Sequence, residues 1–207
     1  MPAISAGMSA FKIMSSNNSM KLKIIIASTR PGRKGPILGS WITEIAKKHG
    51  AFEIEVLDLA EINLPFMDEP NHPRFQKYEH VHTKAWSKTI SDADAFIFVT
   101  PEYNFGFPAP LKNALDYLFN EWSYKPVGFV SYGGVAAGTR AVQMLKQVVT
   151  AQKMMPVTES VNVPFFTKFI NDMDQFVPEE GLEKSAIGML DELVRWTKAL
   201  KIGRAHV

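Results

Sequence analysis

Ala95 to Val99 reads Ala-Phe-Ile-Phe-Val, apolar at every position, and no other stretch constrains the fold as strongly. A strand with one wet face alternates apolar and polar residues. A strand apolar throughout is buried on both faces, which points to a parallel sheet with helices packed on either side. Pro101 ends the run, because proline has no N–H to give to a sheet ladder. A turn follows, and then Leu111, Leu115 and Leu118 recur on one helical face. Pro108 and Pro110 stand where a helix start tolerates missing N–H groups. Strand, turn and helix make the unit of an open α/β sheet, which binds its ligands beyond the carboxyl ends of its strands. The turn residues Pro101, Glu102, Tyr103 and Asn104 are therefore candidate site residues, although Glu102 is as well explained as a solvent-facing turn carboxylate.

The same unit recurs along the chain. Lys21 to Ala27 predicts a strand, followed by a helix marked by Ile37, Leu38, Trp41, Ile42 and Ile45 and running to His49-Gly50. Phe52 to Leu57 predicts a second strand, with Phe52, Ile54 and Val56 on one face. A proline-rich loop covers Leu64 to Phe75, and a helix is expected over Tyr78 to Asp92 with Trp86 and Ile90 inward. The helix after Pro108 is expected to reach about Trp122. Lys125 to Ser131 and Pro156 to Val163 read as strands. Thr139 to Met154 reads as a helix with Ala141, Met144, Leu145 and Val148 inward. Phe165 to Pro178 is aromatic-rich and irregular, and Leu182 to Leu200 is the last amphipathic helix. Strands alternating with helices imply a parallel sheet with right-handed crossovers.

Two further turns carry candidate residues. Ser28 to Pro36 is polar and rich in Gly and Pro, and it feeds a helix at Ile37. Free N–H groups and the helix dipole favour a phosphate at such a place. Arg30 adds a fork of donors with fixed geometry. Ser28, Arg30, Gly35, Pro36 and Ile37 are the candidates there, with a solvated basic loop as the plain alternative. Neither GxxxxGK[ST] nor GxGxxG is present. After the fourth strand come Tyr132, Gly133 and Gly134, where paired glycines permit positive φ and close backbone approach to a ligand. His72, His80 and His82 suggest a metal, but no carboxylate is evidently placed to complete a site. They read as part of a polar loop and helix face, and no metal is assigned.

Pro101-Glu102-Tyr103-Asn104, then Pro108, then Leu111-Lys112-Asn113-Ala114-Leu115-Asp116 resembles the flavin loop of the NAD(P)H-dependent FMN reductase family. These are flavodoxin-like enzymes that include quinone reductases and azoreductases. Their common form is PEYN-x-S-x-P-G-x-LKNA-x-D; this chain has Gly106 in place of the Ser and Ala109 in place of the Gly. The resemblance extends from Lys21 to Leu200. It implies a flavodoxin-like three-layer sandwich on a five-stranded parallel sheet of order 2-1-3-4-5. In that order the turns after strands one, three and four converge. The first would hold the phosphate of FMN, the second would bring Tyr103 and Asn104 to the ring, and the third would offer the backbone N–H groups of Gly133 and Gly134.

The flavin carries the chemistry in such enzymes, so no catalytic side chain is assigned. The resemblance implies ping-pong hydride transfer from NADPH or NADH, through FMN, to a small-molecule electron acceptor such as a quinone, azo dye, free flavin or metal oxyanion. A flavodoxin-type electron carrier and a flavin-binding sensor are the alternatives. Carriers are usually acidic and lack an arginine in the phosphate loop, whereas this chain has a net charge of +2 and Arg30. Apolar residues from Phe105 to Phe107 exceed what a free loop needs, which with the resemblance implies a homodimer or a dimer of dimers. Gly106 is expected beside the dimethylbenzene edge of the flavin, and Ala109 in the first helical turn.

A length of 207 residues fits one domain, expected over residues 20–201. No basic run is dense enough to imply nucleic acid. The absence of cysteine removes thiol catalysis and disulfides. No apolar run reaches membrane-spanning length, and the expected location is cytoplasmic. Met1 to Ser19 lacks the charged start and long apolar core of a secretory signal and reads as a disordered extension. Ile202 to Val207, IGRAHV, reads as a non-native tail of the kind that translated sequencing adapter leaves.

Overall fold

The alternation of β3 (Ala95–Pro101) divides the molecule into its layers. Phe96 and Phe98 point to one side of the sheet, and Ala95, Ile97 and Val99 to the other. All five are fully buried, and a buried Phe side chain contributes about 2–3 kcal/mol of transfer free energy. The structure is a computed structural model and describes residues 19–204. The extension expected over residues 1–19 falls outside the described residues except for Ser19, and the tail expected over residues 202–207 does so from Ala205 onward.

Five parallel strands run in the order β2-β1-β3-β4-β5, where β1 is Met20–Ile26, β2 Phe52–Asp58, β4 Pro126–Gly133 and β5 Met155–Pro164. The core under Ile97 and Val99 comes from α1 (Gly35–His49) and α6 (Glu180–Arg204), through Leu38, Ile42, Leu190 and Leu193. The core under Phe96 and Phe98 comes from α3 (Val81–Ser91), α4 (Ala109–Asp116) and α5 (Thr139–Ala151), through Trp86, Leu111, Leu115 and Leu145, with Trp122 of the following 3-10 turn. The fold is the expected flavodoxin-like sandwich. No helix among the described residues is long and apolar enough to cross a membrane.

Several boundaries depart from the sequence reading for visible reasons. A short helix, α2 (Leu59–Ile62), follows β2, with the Asp58 carboxylate accepting from Ala60 N at 3.0 Å. Val56 stays 43% exposed, because β2 is an edge strand whose outer face is only partly covered. Helix α3 starts at Val81 rather than Tyr78, since the Glu69 carboxylate holds Glu79 N and His80 N at 2.8 and 3.0 Å. Helix α4 stops at Asp116 because side chains from elsewhere take its last carbonyls: Trp86 Nε1 binds Ala114 O, while Trp122 Nε1 and Gln152 Nε2 bind Leu115 O. Helix α5 buries Ala141, Val142, Leu145 and Val149, which leaves Met144 half exposed rather than inward. Helix α6 continues past Leu200 to Arg204, whose guanidinium meets Asp94 at 3.0 Å beside Lys201 at 2.9 Å.

Candidate functional site

The turns leaving β1, β3 and β4 sit side by side because those three strands are neighbours in the sheet. They enclose a crevice of about 420 Å3, and a fourth segment, Phe165 to Thr167 directly after β5, closes its side.

The β1 turn brings the positive charge. Arg33 grips both carboxylate oxygens of Asp58, at 2.6 and 2.8 Å, and donates to Ser28 O at 2.8 Å. Lys34 pairs with Asp174 at 2.9 Å. Arg30 lines the crevice, is exposed, and has no carboxylate partner among the described residues. Helix α1 begins just beyond, and no side chain caps it. Gly35 opens this helix because nothing larger fits: a Cβ there would stand 2.3 Å from Ser28 Oγ and 2.9 Å from the Tyr132 hydroxyl. Both hydroxyls are buried, and among the described residues neither has a partner of good hydrogen-bond geometry, although they lie near enough to each other for Ser28 to offset part of the rise in the Tyr132 pKa. Burial raises the phenol pKa of Tyr132, so it remains a neutral donor. Two buried hydroxyls close to each other, a guanidinium without a carboxylate partner among the described residues and an uncapped helix start make a site suited to an oxyanion.

The β3 turn is tight and strained. Tyr103 N donates to Gly106 O at 2.8 Å and Gly106 N to Tyr103 O at 3.0 Å. The residues between them, Asn104 and Phe105, both take left-handed backbone conformations, with φ of 51° and 68°. Asparagine adopts this readily; for phenylalanine the cost is on the order of 1–2 kcal/mol. The Phe105 ring lies under Arg140, whose Cζ is 4.0 Å from the ring centroid. Glu102, the first turn residue after β3, has a side chain only 7% exposed. Its carboxylate accepts from Arg140 Nε at 2.6 Å, from Arg140 N at 3.2 Å and from Ala141 N at 3.4 Å, so it caps the start of α5.

The β4 turn opens one wall. Neither Gly133 nor Gly134 uses positive φ, contrary to the sequence reading; Ala137 and Gly138 do, at 54° and 79°. The contribution of Gly134 is space, since a Cβ there would meet nothing within 4 Å.

Of the sequence candidates, Arg30, Pro101, Glu102, Tyr103, Tyr132, Gly133 and Gly134 line the crevice. Ser28 and Gly35 are buried behind it. Pro36 and Ile37 lie in the first turn of α1, with Ile37 packed on the core, and Asn104 is at the exposed tip of its turn; these three do not line the crevice. Gly106 faces α5 instead of the crevice: its Cβ would meet Tyr103 O at 3.6 Å and Met144 Sδ at 3.9 Å. Ala109 is the first residue of α4, as expected. The sequence reading missed Arg33, Lys34, Phe165, Phe166 and Thr167. The last three were reachable by strand-end logic, since they follow β5 at the same sheet edge.

The histidine region is tied together more closely than the sequence suggested. Asp68 lies against both rings, with His82 Nε2 at 3.0 Å from its carboxylate and His80 Nε2 at 3.2 Å from its carbonyl. Tyr117 donates to the same carboxylate at 3.0 Å, and burial with this bond pushes the phenol up to about 12. No group of three or more His, Asp or Glu suited to a metal occurs among the described residues. A separate cavity of about 470 Å3 on the far side of the β1 turn, from Thr29 to Asn113, has no charged lining residue.

Comparison with known proteins agrees with the motif. The family model for the NADPH-dependent FMN reductases matches residues 20–168. An NAD(P)H-dependent FMN reductase of Schizosaccharomyces pombe is 38% identical over 180 residues, covering 84% of this chain and 90% of its own. An NAD(P)H:quinone oxidoreductase of Solanum tuberosum is 33% identical over 139 residues, 65% of this chain and 70% of its own. Among solved structures, the NAD(P)H:(acceptor) oxidoreductase FerB of Paracoccus denitrificans superposes with a TM-score of 0.69 at 21% identity, covering 87% of this chain and 98% of its own.

Proposed function

The chain belongs to the NADPH-dependent FMN reductase family and is an oxidoreductase, and from that premise we propose that it holds FMN in the crevice between the β1, β3 and β4 turns. The observation that carries the reading is Arg30, which has no carboxylate partner among the described residues and lines the crevice at the uncapped start of α1, where the Ser28 and Tyr132 hydroxyls are buried. Arg33 is engaged by Asp58 and Lys34 by Asp174, so the donor set suits one terminal phosphate and favours FMN over a dinucleotide flavin. Tyr103, Gly134 and Phe166 bound a slot suited to a flat ring.

When bound, FMN would supply two-electron chemistry between NADPH or NADH and an electron acceptor, with ping-pong turnover. The chain's part is to orient and to stabilise. Arg30 and Ser28 fix the phosphate end, and the strained β3 turn presents Tyr103. Backbone N–H groups of the Gly133–Gly134 turn would offset negative charge on the reduced ring. The acceptor is a quinone, azo compound, free flavin or metal oxyanion.

The active form in this reading is a homodimer or a dimer of dimers. Phe105, Val135 and Phe165 are 60%, 78% and 54% exposed on the turns after β3, β4 and β5, and Met144 of α5 is 49% exposed beside Gly106, apolar surface of the kind a partner subunit covers. The reading places the protein in the cytoplasm, where NAD(P)H is at hand, and assigns the function to residues 20–201.

Anaerobic stopped-flow mixing tests it. The protein reconstituted with FMN should lose its yellow absorbance within seconds of meeting NADPH or NADH and regain it on addition of a quinone. Protein that takes up no FMN would overturn the site. Protein that holds FMN without being bleached would instead be a carrier or sensor.

A further inference from the structure

Pro101 and Tyr132 are partners at the paired ends of β3 and β4, and beyond them the crevice has two walls on different elements: Glu102 and Tyr103 after β3, and Gly134 after β4. A flat ring between them requires a fixed separation, yet beyond that last ladder pair each wall is a turn, the least rigid part of such a fold. One contact network spans them, buried at Glu102 and half exposed at Arg140. The Glu102 side chain leaves the first wall and ends at the start of α5, the helix that the second wall's turn leads into. There its carboxylate meets two helix N–H groups and the Arg140 guanidinium. The guanidinium then lies over the ring of Phe105, with Cζ 4.0 Å from the centroid, at the strained tip of the first turn. Glu102 thus ties the first turn to the start of α5, and Arg140 returns from α5 to the first turn. Gly133 is packed into the same joint: its Cβ would stand 3.8 Å from Glu102 Cβ and 3.2 Å from Gly138 N.

We propose that Glu102 and Arg140 are positioning residues that set the separation of the two crevice walls, and so the fit of the isoalloxazine ring, without themselves touching the phosphate. The inference rests on the FMN reading above. It differs from the role expected for Glu102 in the sequence, since its carboxylate acts through α5 and not on the cofactor.

Two flavins and four variants test it. Apo-protein is titrated with FMN and with riboflavin, which has the same ring and no phosphate, and thermal unfolding is recorded alongside. Arg140→Ala should weaken both flavins by the same factor, about tenfold for the loss of a charge-assisted network. At saturation, the absorption bands of bound FMN should shift toward those of free FMN. Arg140→Lys keeps the charge and should restore part of the affinity and the band positions. Glu102→Gln, which keeps the shape of the cap, should give an intermediate loss and serves as the readout should Arg140→Ala fail to fold. Arg30→Ala should weaken FMN alone. If Arg140→Ala and Glu102→Gln leave ring affinity and spectrum unchanged while Arg30→Ala weakens FMN, the positioning role is overturned and the FMN site stands. If the unaltered protein binds neither flavin, both readings fall together.

Discussion

Arg33 and Asp58 form a two-pronged ion pair, with guanidinium nitrogens at 2.6 and 2.8 Å from the two carboxylate oxygens. The bond to Asp58 also holds the Arg33 guanidinium above its usual pKa. The pair joins the turn after β1 to the end of β2, and Arg33 anchors the turn's own backbone through Ser28 O. Both side chains are largely buried, at 18% and 11% exposure, so removing one partner strands a charge with little access to water. Asp58 also caps α2. Asp58→Ala should therefore lower stability by about 2–4 kcal/mol, somewhat less than the about 3–5 kcal/mol of a fully buried pair because both side chains keep some exposure. Urea unfolding measures it; a change under about 0.5 kcal/mol would mark the pair as a surface contact with no anchoring role.

Arg30 is the counterpart without an anchor. Nothing among the described residues pairs with it, so Arg30→Ala should leave stability within about 0.5 kcal/mol of the original. Its loss should instead cost about 1.5–3 kcal/mol of FMN binding and none of riboflavin binding, as expected for hydrogen bonds to a charged group. Fluorescence titration of the two flavins decides it, and equal losses for both would remove Arg30 from the phosphate site.

The two glycines of the β4 turn make opposite demands. Gly138 has φ of 79°, and a Cβ there would stand 2.9 Å from Tyr132 N, so Gly138→Ala combines backbone strain with a clash. A stability loss of about 2–3 kcal/mol is expected. Gly134 is unstrained and faces open space, so Gly134→Ala should fold as well as the original and yet bind FMN more weakly, because the added methyl occupies the ring's slot. Thermal melts paired with titrations separate the two. A destabilised Gly134→Ala that binds FMN normally would place the ring elsewhere.

These glycines also show where sequence reading stops. The apolar run of β3 and the alternation of strands and helices were enough for a parallel sheet covered on both faces, while its order came from the resemblance carried by the motif from Pro101 to Asp116. The convergence of three turns followed from that order. The glycine that carries positive φ did not, since Gly133, Gly134 and Gly138 look alike until the turn is closed. The division of labour among Arg30, Arg33 and Lys34 was equally hidden, because it depends on Asp58 and Asp174, which lie 25 and 140 positions from their partners. The end of α4 was set by Trp86, Trp122 and Gln152 reaching its carbonyls, a contact that propensity and periodicity do not contain.

Lys125 gives a pH dependence whose sign follows from its surroundings. It lies at the start of β4, 6% exposed, at the sheet edge opposite the crevice. Burial, and then the nearby Arg204 charge, bring its pKa down to about 7. A neutral amine has two N–H groups, and both find acceptors here, Ile90 O at 2.8 Å and Ser91 O at 3.0 Å. In the unfolded chain the same amine titrates near 10.5. Between these values the unfolded state holds a proton that the native state has released, so stability rises as pH rises from about 7 toward 10.5. The slope is at most about 1.4 kcal/mol per pH unit, the limit for one proton. The chain has no cysteine, so no thiol titrates in that window. Urea unfolding at pH 7, 8 and 9 should show the rise, and Lys125→Met should flatten it while raising stability at pH 7. Parallel profiles for the two proteins would mean that the α3 carbonyls keep Lys125 charged, their pull on a third proton outweighing the loss of water around it.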